Sequence, residues 1–455
     1  MDNSLALLDA PGEWYYDPDA ALLYLYPNST AADDAGARGG AAAPLTLLVS
    51  VPLLDTLVRV QGDGAAAAYA TDIALVGLTF TQTRATFLEA YEMPSGGDWT
   101  LGRYAALVLE AAERVTVAGC NFSAVGGNAA LLSNHVWDAR LFSNEVGFAG
   151  DSGFVLVGAT QLADGSAPSY PNRVELSFNV VHDVGVYGKQ TAAVAWAKAA
   201  NVTVANNVLF NGPRAGLSIN DGFGGGSLIQ HNLIFNWVRE TADHGSVSSW
   251  DRTPYWTFSG VDDGFGDPAG RSLIKATDVL ARNFVINGYA GAWAYDHDDG
   301  SQFINNTQSV LLWGGCKSCK GNSKSCDTNL IIYPGVDGRS TGGKSCQTNY
   351  GGVRANAVYY GNRCVATPDA QFFSWGGCDP AHTVNTTVAT WDNTHYANAS
   401  AFVQPCGNAT LDWADWQASG QDAGSVLGPP PSVGQLVTMA TDLLFGTFAG
   451  GAAVA

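Results

Sequence analysis

Short runs rich in β-branched residues that close on an asparagine recur along this chain, and no other feature restricts its fold as strongly. They are Arg114–Asn121, Leu141–Asn144, Val174–Asn179, Val202–Asn207, Leu228–Asn232, Val279–Asn283, Phe303–Asn306 and Thr328–Asn329. The intervals between the asparagines are 23, 35, 28, 25, 51, 23 and 23 residues. After most of them come a turn and a second short strand-like run, as at Ala192–Trp196, Ala215–Ile219, Gly245–Trp250 and Ala292–Tyr295. Short strands on a repeat in the low twenties predict a solenoid, in which each coil buries its inward side chains against its neighbours. A propeller blade would need roughly 40–45 residues and four strands. The expected fold is all-β: a right-handed parallel β-helix with loop excursions. Asparagines stacked at one corner would bond along the stack and satisfy turn backbone. The 35-residue interval carries a turn-rich insertion near Ala163–Pro171, and the 51-residue interval carries Asp251–Gly270 or else a whole extra coil.

The ends read differently. Residues 1–60 hold two strand-like runs around a turn, Gly12–Asp17 and Leu22–Pro27, leading into repeats expected over 61–335. Residues 336–455 read as a loop-rich, cysteine-bearing extension ending in a short amphipathic helix over 433–446, expected to cap the open end of the solenoid. The 54 glycines, about 12% against a usual share of roughly 7%, suit tightly turning coils. A net charge of −19 repels phosphate backbones and disfavours a nucleic-acid partner. No apolar run approaches the roughly 18 residues needed to span a bilayer. A monomer is expected.

Of eight cysteines, seven fall within 316–406. Cys316 and Cys319 form a C-x-x-C that invites zinc, but no second such pair follows, and disulfides are the preferred reading. Seven N-x-[ST] sequons, at Asn28, Asn121, Asn201, Asn305, Asn385, Asn398 and Asn408, join the cysteines in favouring a secreted or cell-surface glycoprotein. Met1–Ser4 begins no signal peptide, so the chain is expected to lack its natural start.

Two acidic clusters stand apart from ordinary turn aspartates. One is Glu240 to Arg252, with Asp243, His244, Trp250, Asp251 and Arg252; the other is Trp293 to Ser301, with Trp293, Asp296, His297, Asp298 and Asp299. On successive coils they would lie close together, since stacked strands are about 4.7–4.9 Å apart. Paired carboxyls about 5–5.5 Å apart suit a retaining glycosidase, and about 6.5–9.5 Å an inverting one. Asp243, Asp251, Asp296, Asp298 and Asp299 are therefore the candidate catalytic residues. His244, Trp250, Arg252, Trp293 and His297 are candidate substrate contacts, with Asp98 and Trp99 as one wall of a sugar site. Lys189 would neutralise a bound carboxylate or pair with Asp183. The bland readings are turn aspartates, histidines that merely orient carboxylates, and a structural Ca²⁺ at Asp296–Gly300. No other cofactor is expected.

Gly12–Asp17 with Leu22–Pro27, the asparagine-ended coils, Asp243-His244-Gly245 and Asp298-Asp299 with Ser301 resemble right-handed parallel β-helix carbohydrate-active proteins. Among families, the chain resembles glycoside hydrolase family 141, of fucosidase and xylanase type, over most of residues 9–335. The resemblance implies a catalytic aspartate pair, Asp243 with Asp298 or Asp299. The chain departs from the pattern in reading Tyr295-Asp-His-Asp-Asp, and in the long insertion after the first motif. With Gly245 aligned to Gly291, Asp251 pairs better with Asp296 or Asp298. The expected function is a polysaccharide-directed glycoside hydrolase. The alternatives are a polysaccharide lyase or uronate epimerase, which would place a cation or calcium among the carboxylates, and a non-catalytic carbohydrate-binding solenoid.

Overall fold

The computed structural model describes residues 4–26, 50–92, 101–159, 169–220, 225–242, 244–250, 276–288, 291–298, 300–319, 321, 323–335, 345–350, 357–367, 371–376, 388–397, 402–404 and 411–446. The chain divides into two units, Met1–Val51 and Pro52–Ala455. In the first, Trp14–Asp17 pairs antiparallel with Leu22–Leu25, the hairpin expected there. Asp17 turns it: its Oδ1 accepts from the backbone N–H of Asp19 and Ala20 at 3.0 Å.

The second unit is a parallel β-helix. Each coil contributes one strand to each of three parallel sheets, as in Ala192–Ala197, Thr203–Ala205 and Val208–Phe210. The sheet of longer strands runs from Val58–Gln61 to Phe402–Gln404, the second from Ala74–Val76 to Val388–Trp391, and the third from Thr79–Thr81 to Val426–Gly428. Strands of all three thus continue past residue 335, where the repeats were expected to stop. Inward positions form apolar columns: Leu132, Leu156, Trp196 and Ile219 in the long sheet, Leu141, Leu176, Val204 and Ile229 in the second, Val146, Val181, Leu209 and Ile234 in the third. Each such side chain contributes about 1.5–3 kcal/mol by leaving water.

The expected asparagine stack is present at the corner between the second and third sheets. The Oδ1 of Asn179 accepts from the backbone N–H and Nδ2 of Asn144 at 2.9 and 3.0 Å, and Asn179 donates in turn to Asn207, Asn207 to Asn232 and Asn232 to Asn283. The ladder resumes through Asn329, Asn362 and Asn393. Two rungs differ from the reading of the sequence: Cys120 rather than Asn121 bonds to Asn144, and Ser309 rather than Asn306 lies between Asn283 and Asn329. At that rung the Tyr295 hydroxyl bridges, accepting from Asn283 at 3.3 Å and donating to Ser309 at 2.9 Å. Asn232 bonds directly to Asn283, so the 51-residue interval is an insertion and not an extra coil. The residue before each rung turns the corner in the left-handed region, mostly without glycine: Ser143, Phe178, Asn206, His231, Arg282, Gln308, Thr328 and Asp392 have φ between 52° and 58°.

The ladder makes a stability prediction. Asn207 is buried, accepts twice from Asn179, and donates to Asn232 and to the Leu176 carbonyl. Asn207→Ala leaves a buried N–H and a buried carbonyl unmet, each costing about 1–3 kcal/mol. Urea denaturation should show a loss of about 2–3 kcal/mol; a loss within about 0.5 kcal/mol, the range of ordinary surface changes, would remove the ladder from the account of stability.

Two helices follow the strands. Helix α1, Trp413–Ala418, is N-capped by Asp412 and sends Trp416 into the solenoid core, where its ring stacks on Phe373 at 5.3 Å. Helix α2, Val433–Phe445, opens with a capping box between Ser432 and Gln435. Leu436 and Leu444 pack on Val310, Leu330, Ile332 and Val365 of the third sheet. The C-terminal helix therefore lies on a flank of the solenoid rather than over its end, because the outward residues of that sheet are apolar there. Among the described residues no helix is long and apolar enough to cross a membrane.

Candidate functional site

Strand alternation decides which candidate side chains can meet a ligand. In Trp293–His297 the register is Gly245 with Trp293, Ser248 with Asp296 and Ser249 with His297, two residues away from the alignment of Gly245 with Gly291. Ala294 and Tyr295 both face the core, so the alternation breaks between them: Tyr295 and His297 point into the solenoid, whereas Trp293 and Asp296 lie on its outer face. The neighbouring strand Cys316–Cys319 sets Lys317 beside Asp296. Lys317 Nζ lies 2.8 Å from Asp296 Oδ1, 3.1 Å from Asp298 Oδ1 and 4.4 Å from the centre of the Trp293 ring. Those two contacts place the carboxylate oxygens no more than about 5.9 Å apart.

Exposure grades this group from floor to mouth. The Asp296 side chain is fully buried, that of Lys317 is 6% exposed and that of Asp298 is 32% exposed. Burial alone would push Lys317 down, but the charges of Asp296 and then Asp298 outweigh it and hold the ammonium well above the ordinary lysine range. The group carries a net charge of −1 while both carboxylates are ionised. Trp293 is buried, its Nε1 donating to Thr348 at 3.2 Å, so it supports Lys317 from below and offers no open face to a sugar.

His297 is a correction. Its Nε2–H donates to Asn306 Oδ1 at 2.8 Å, the Asn306 amide being oriented by its own donation to the Ser325 carbonyl, and its Nδ1 lies 2.7 Å from Ser249 Oγ. The Ser249–His297–Asn306 line has the connectivity of a nucleophile, base and orienter, but it is enclosed within the solenoid, where no polysaccharide reaches. It is an interior polar network, and His297 makes no substrate contact. Burial pushes the His297 imidazole down to about 3, the bond to Asn306 partly opposing. The unfolded chain takes up this proton below about pH 6.5, so the contribution is complete above that pH and is lost as pH falls towards 3. Asp278 works oppositely: burial raises its carboxyl to about 7, so its contribution is complete in acid and declines as pH rises through 7. The comparison with His297→Gln isolates the histidine. Between pH 7 and 4 the wild type should lose about 2–3 kcal/mol more than the variant; equal losses would show that His297 is protonated in the fold.

Of the other candidates, Trp250, His244 and Lys189 lie within the described residues. Trp250 is buried at the end of Gly245–Trp250, and His244 is half-buried, its carbonyl accepting from the Ala292 N–H. Lys189 pairs with Glu240 at 3.0 Å and not with Asp183, which bonds His182 at 2.8 Å. Asp98, Trp99, Asp243, Asp251, Arg252 and Asp299 lie outside the described residues. Lys317 escaped the sequence reading because it sits inside the C-x-x-C. Cys316 is disulfide-bonded to Cys326, and Cys346 to Cys364, which replaces the zinc alternative at Cys316. Among the described residues no group of three or more His, Cys, Asp or Glu side chains could hold a metal ion.

Comparison with solved structures finds the same architecture. A glycoside hydrolase superposes with a TM-score of 0.52 at 15% identity, covering 85% of this chain and 60% of its own. The fold is shared. The chain thus spans about 60% of that relative's length. Lower TM-scores relate it to DFA-IIIase from Arthrobacter chlorophenolicus A6, solved without its lid in complex with GF2 (0.44, 12% identity, 78% of this chain and 75% of that one). They also relate it to the A-module of a mannuronan C-5 epimerase from Azotobacter vinelandii (0.43, 11% identity, 88% and 97%). No protein-family model and no curated protein sequence matches the chain.

Proposed function

We propose that the protein is a polysaccharide-directed glycoside hydrolase, of the kind that its resemblance to glycoside hydrolase family 141 implies, acting outside the cytosol. The observation that carries the reading is the pair of carboxylates held by one ammonium, with Asp298 reaching solvent and Asp296 beneath it. Asp298 is the carboxylate that attacks the anomeric carbon or activates water. Lys317 and Asp296 fix its position, so they are positioning residues. The general acid comes from Asp243, Asp251 or Asp299. The two disulfides fit an oxidising compartment.

The lyase or epimerase reading has one observation in its favour, since a lysine does lie among the carboxylates. That lysine is already shared by two aspartates, and the net −1 of the group repels the uronate carboxylate such chemistry must neutralise. Digestion of neutral and uronate-containing polysaccharides separates the readings. New reducing ends without ultraviolet-absorbing unsaturated products are expected. Unsaturated products would establish the lyase, epimerised uronates the epimerase, and binding without any change of the polysaccharide the non-catalytic solenoid.

A further inference from the structure

A concave site lies on the earlier coils, at the N-terminal ends of the long-sheet strands. It is a pocket of about 240 Å³ between the 86–91 loop, Asp151 and the 187–191 loop. That is smaller than the roughly 300–1,000 Å³ of drug-sized sites, and suits one ring-sized ligand. Phe87, Tyr91 and Tyr187 line it and are exposed, with the Phe87 and Tyr187 rings 5.7 Å apart.

The floor of the pocket is polar. Asp151 is half-buried and receives one side-chain hydrogen bond, from Thr86 Oγ1 to its Oδ2 at 3.0 Å; among the described residues its Oδ1 has no hydrogen-bond partner. Burial raises its carboxyl above the ordinary range, the Thr86 bond partly opposing. The tyrosine wall is held rigidly: the N–H groups of Gly185, Val186, Tyr187 and Gly188 donate to the carbonyls of Asp151, Ala149, Gly150 and Gly150 at 2.8–3.1 Å. Gly188 leaves room for the carboxyl, since a Cβ there would stand 2.2 Å from Asp151 Oδ1 and push it aside. The cations at the rim are already matched, Lys189 by Glu240 and Arg84 by Glu89 and Asp55. Aromatic walls, an available carboxyl oxygen and cations that are already paired disfavour an anion and suit a neutral ligand with an apolar face and hydroxyls.

We propose that this pocket is a sugar-binding subsite that holds one neutral sugar residue of the polysaccharide at a distance from the cleavage point. Three strand steps separate Ala192–Ala197 from Trp293–His297, about 14 Å along the solenoid axis, and the pocket lies at the opposite end of these strands from Asp298, so a glycan reaching both must be several sugar residues long. The inference rests on the polysaccharide reading of the Asp298 site for the identity of its ligand, but not on Asp298 itself.

Calorimetric titration of the full chain with cellohexaose, xylohexaose and mannohexaose tests it. At least one should bind, and Tyr187→Ala and Asp151→Asn should each weaken that binding about tenfold or more. Tyr187→Phe should retain it, and so should Asp298→Asn. Tyr187 is exposed, so its truncation leaves the core intact, which a thermal melt checks. Binding unchanged in both pocket variants, or no binding of any of the three hexaoses by the wild type, overturns the proposal. Failure of the hydrolase reading is separate: it would appear as binding that depends on Tyr187 with no new reducing ends.

Discussion

Asp298→Asn is expected to lower kcat on any polysaccharide the wild type cleaves by roughly 10²–10⁴-fold, with little change in KM. The side chain keeps its shape and one oxygen for Lys317, so the local structure is preserved while the negative charge is removed. Charge is what the reaction requires there, whether the carboxylate attacks the anomeric carbon or takes a proton from water. An interaction that strengthens only as the oxocarbenium-like state forms affects turnover and not ground-state binding. Turnover within threefold of wild type would exclude Asp298 as the reacting carboxylate.

Lys317→Met should destabilise the protein by about 3–5 kcal/mol, the cost of removing the cation beside a buried carboxylate. Asp296 is fully buried and Lys317 lies 2.8 Å from it, whereas Asp298 can turn to water. The double variant Asp296→Asn/Lys317→Met should therefore regain most of the lost stability, because neither member of the buried pair remains. It should not regain activity, since Asp298 would still lack the ammonium that fixes its oxygen. Equal stability of the single and double variants would show that Asp296 does not depend on Lys317.

The coil repeat was legible because it rests on composition at periodic positions: small strands, inward apolar residues and a rung amide. The rung at Ser309 was not, since Asn306 stands three residues earlier and fits the same pattern. The corners were also hidden. A left-handed residue is sought at glycine, but here Phe178, Arg282 and Thr328 adopt it, held by the bonded rung that follows each. The block Trp293 to Ser301 read as one acidic cluster. Register divides it, turning His297 inward and Asp296 outward, and only the cross-strand neighbour supplies Lys317. Residues 61–335 were expected to hold the repeats, but longer intervals of 33, 31 and 32 residues between later rungs concealed their continuation.

The tyrosine bridge at Ser309 has a mechanical consequence. From Asn144 to Asn283 the amides are coupled directly, each polarising the next, and the same holds from Asn329 to Asn393. Between these spans the side-chain line passes through a hydroxyl on a different sheet. A solenoid stretched along its axis bears load in series, so its extension is set by the weakest junction between neighbouring coils. The coil containing Ser309 is where the amide line is interrupted, a serine hydroxyl and N–H bonding to the neighbouring rungs in place of an amide, and the disulfide Cys316–Cys326 joins two strands within the next coil.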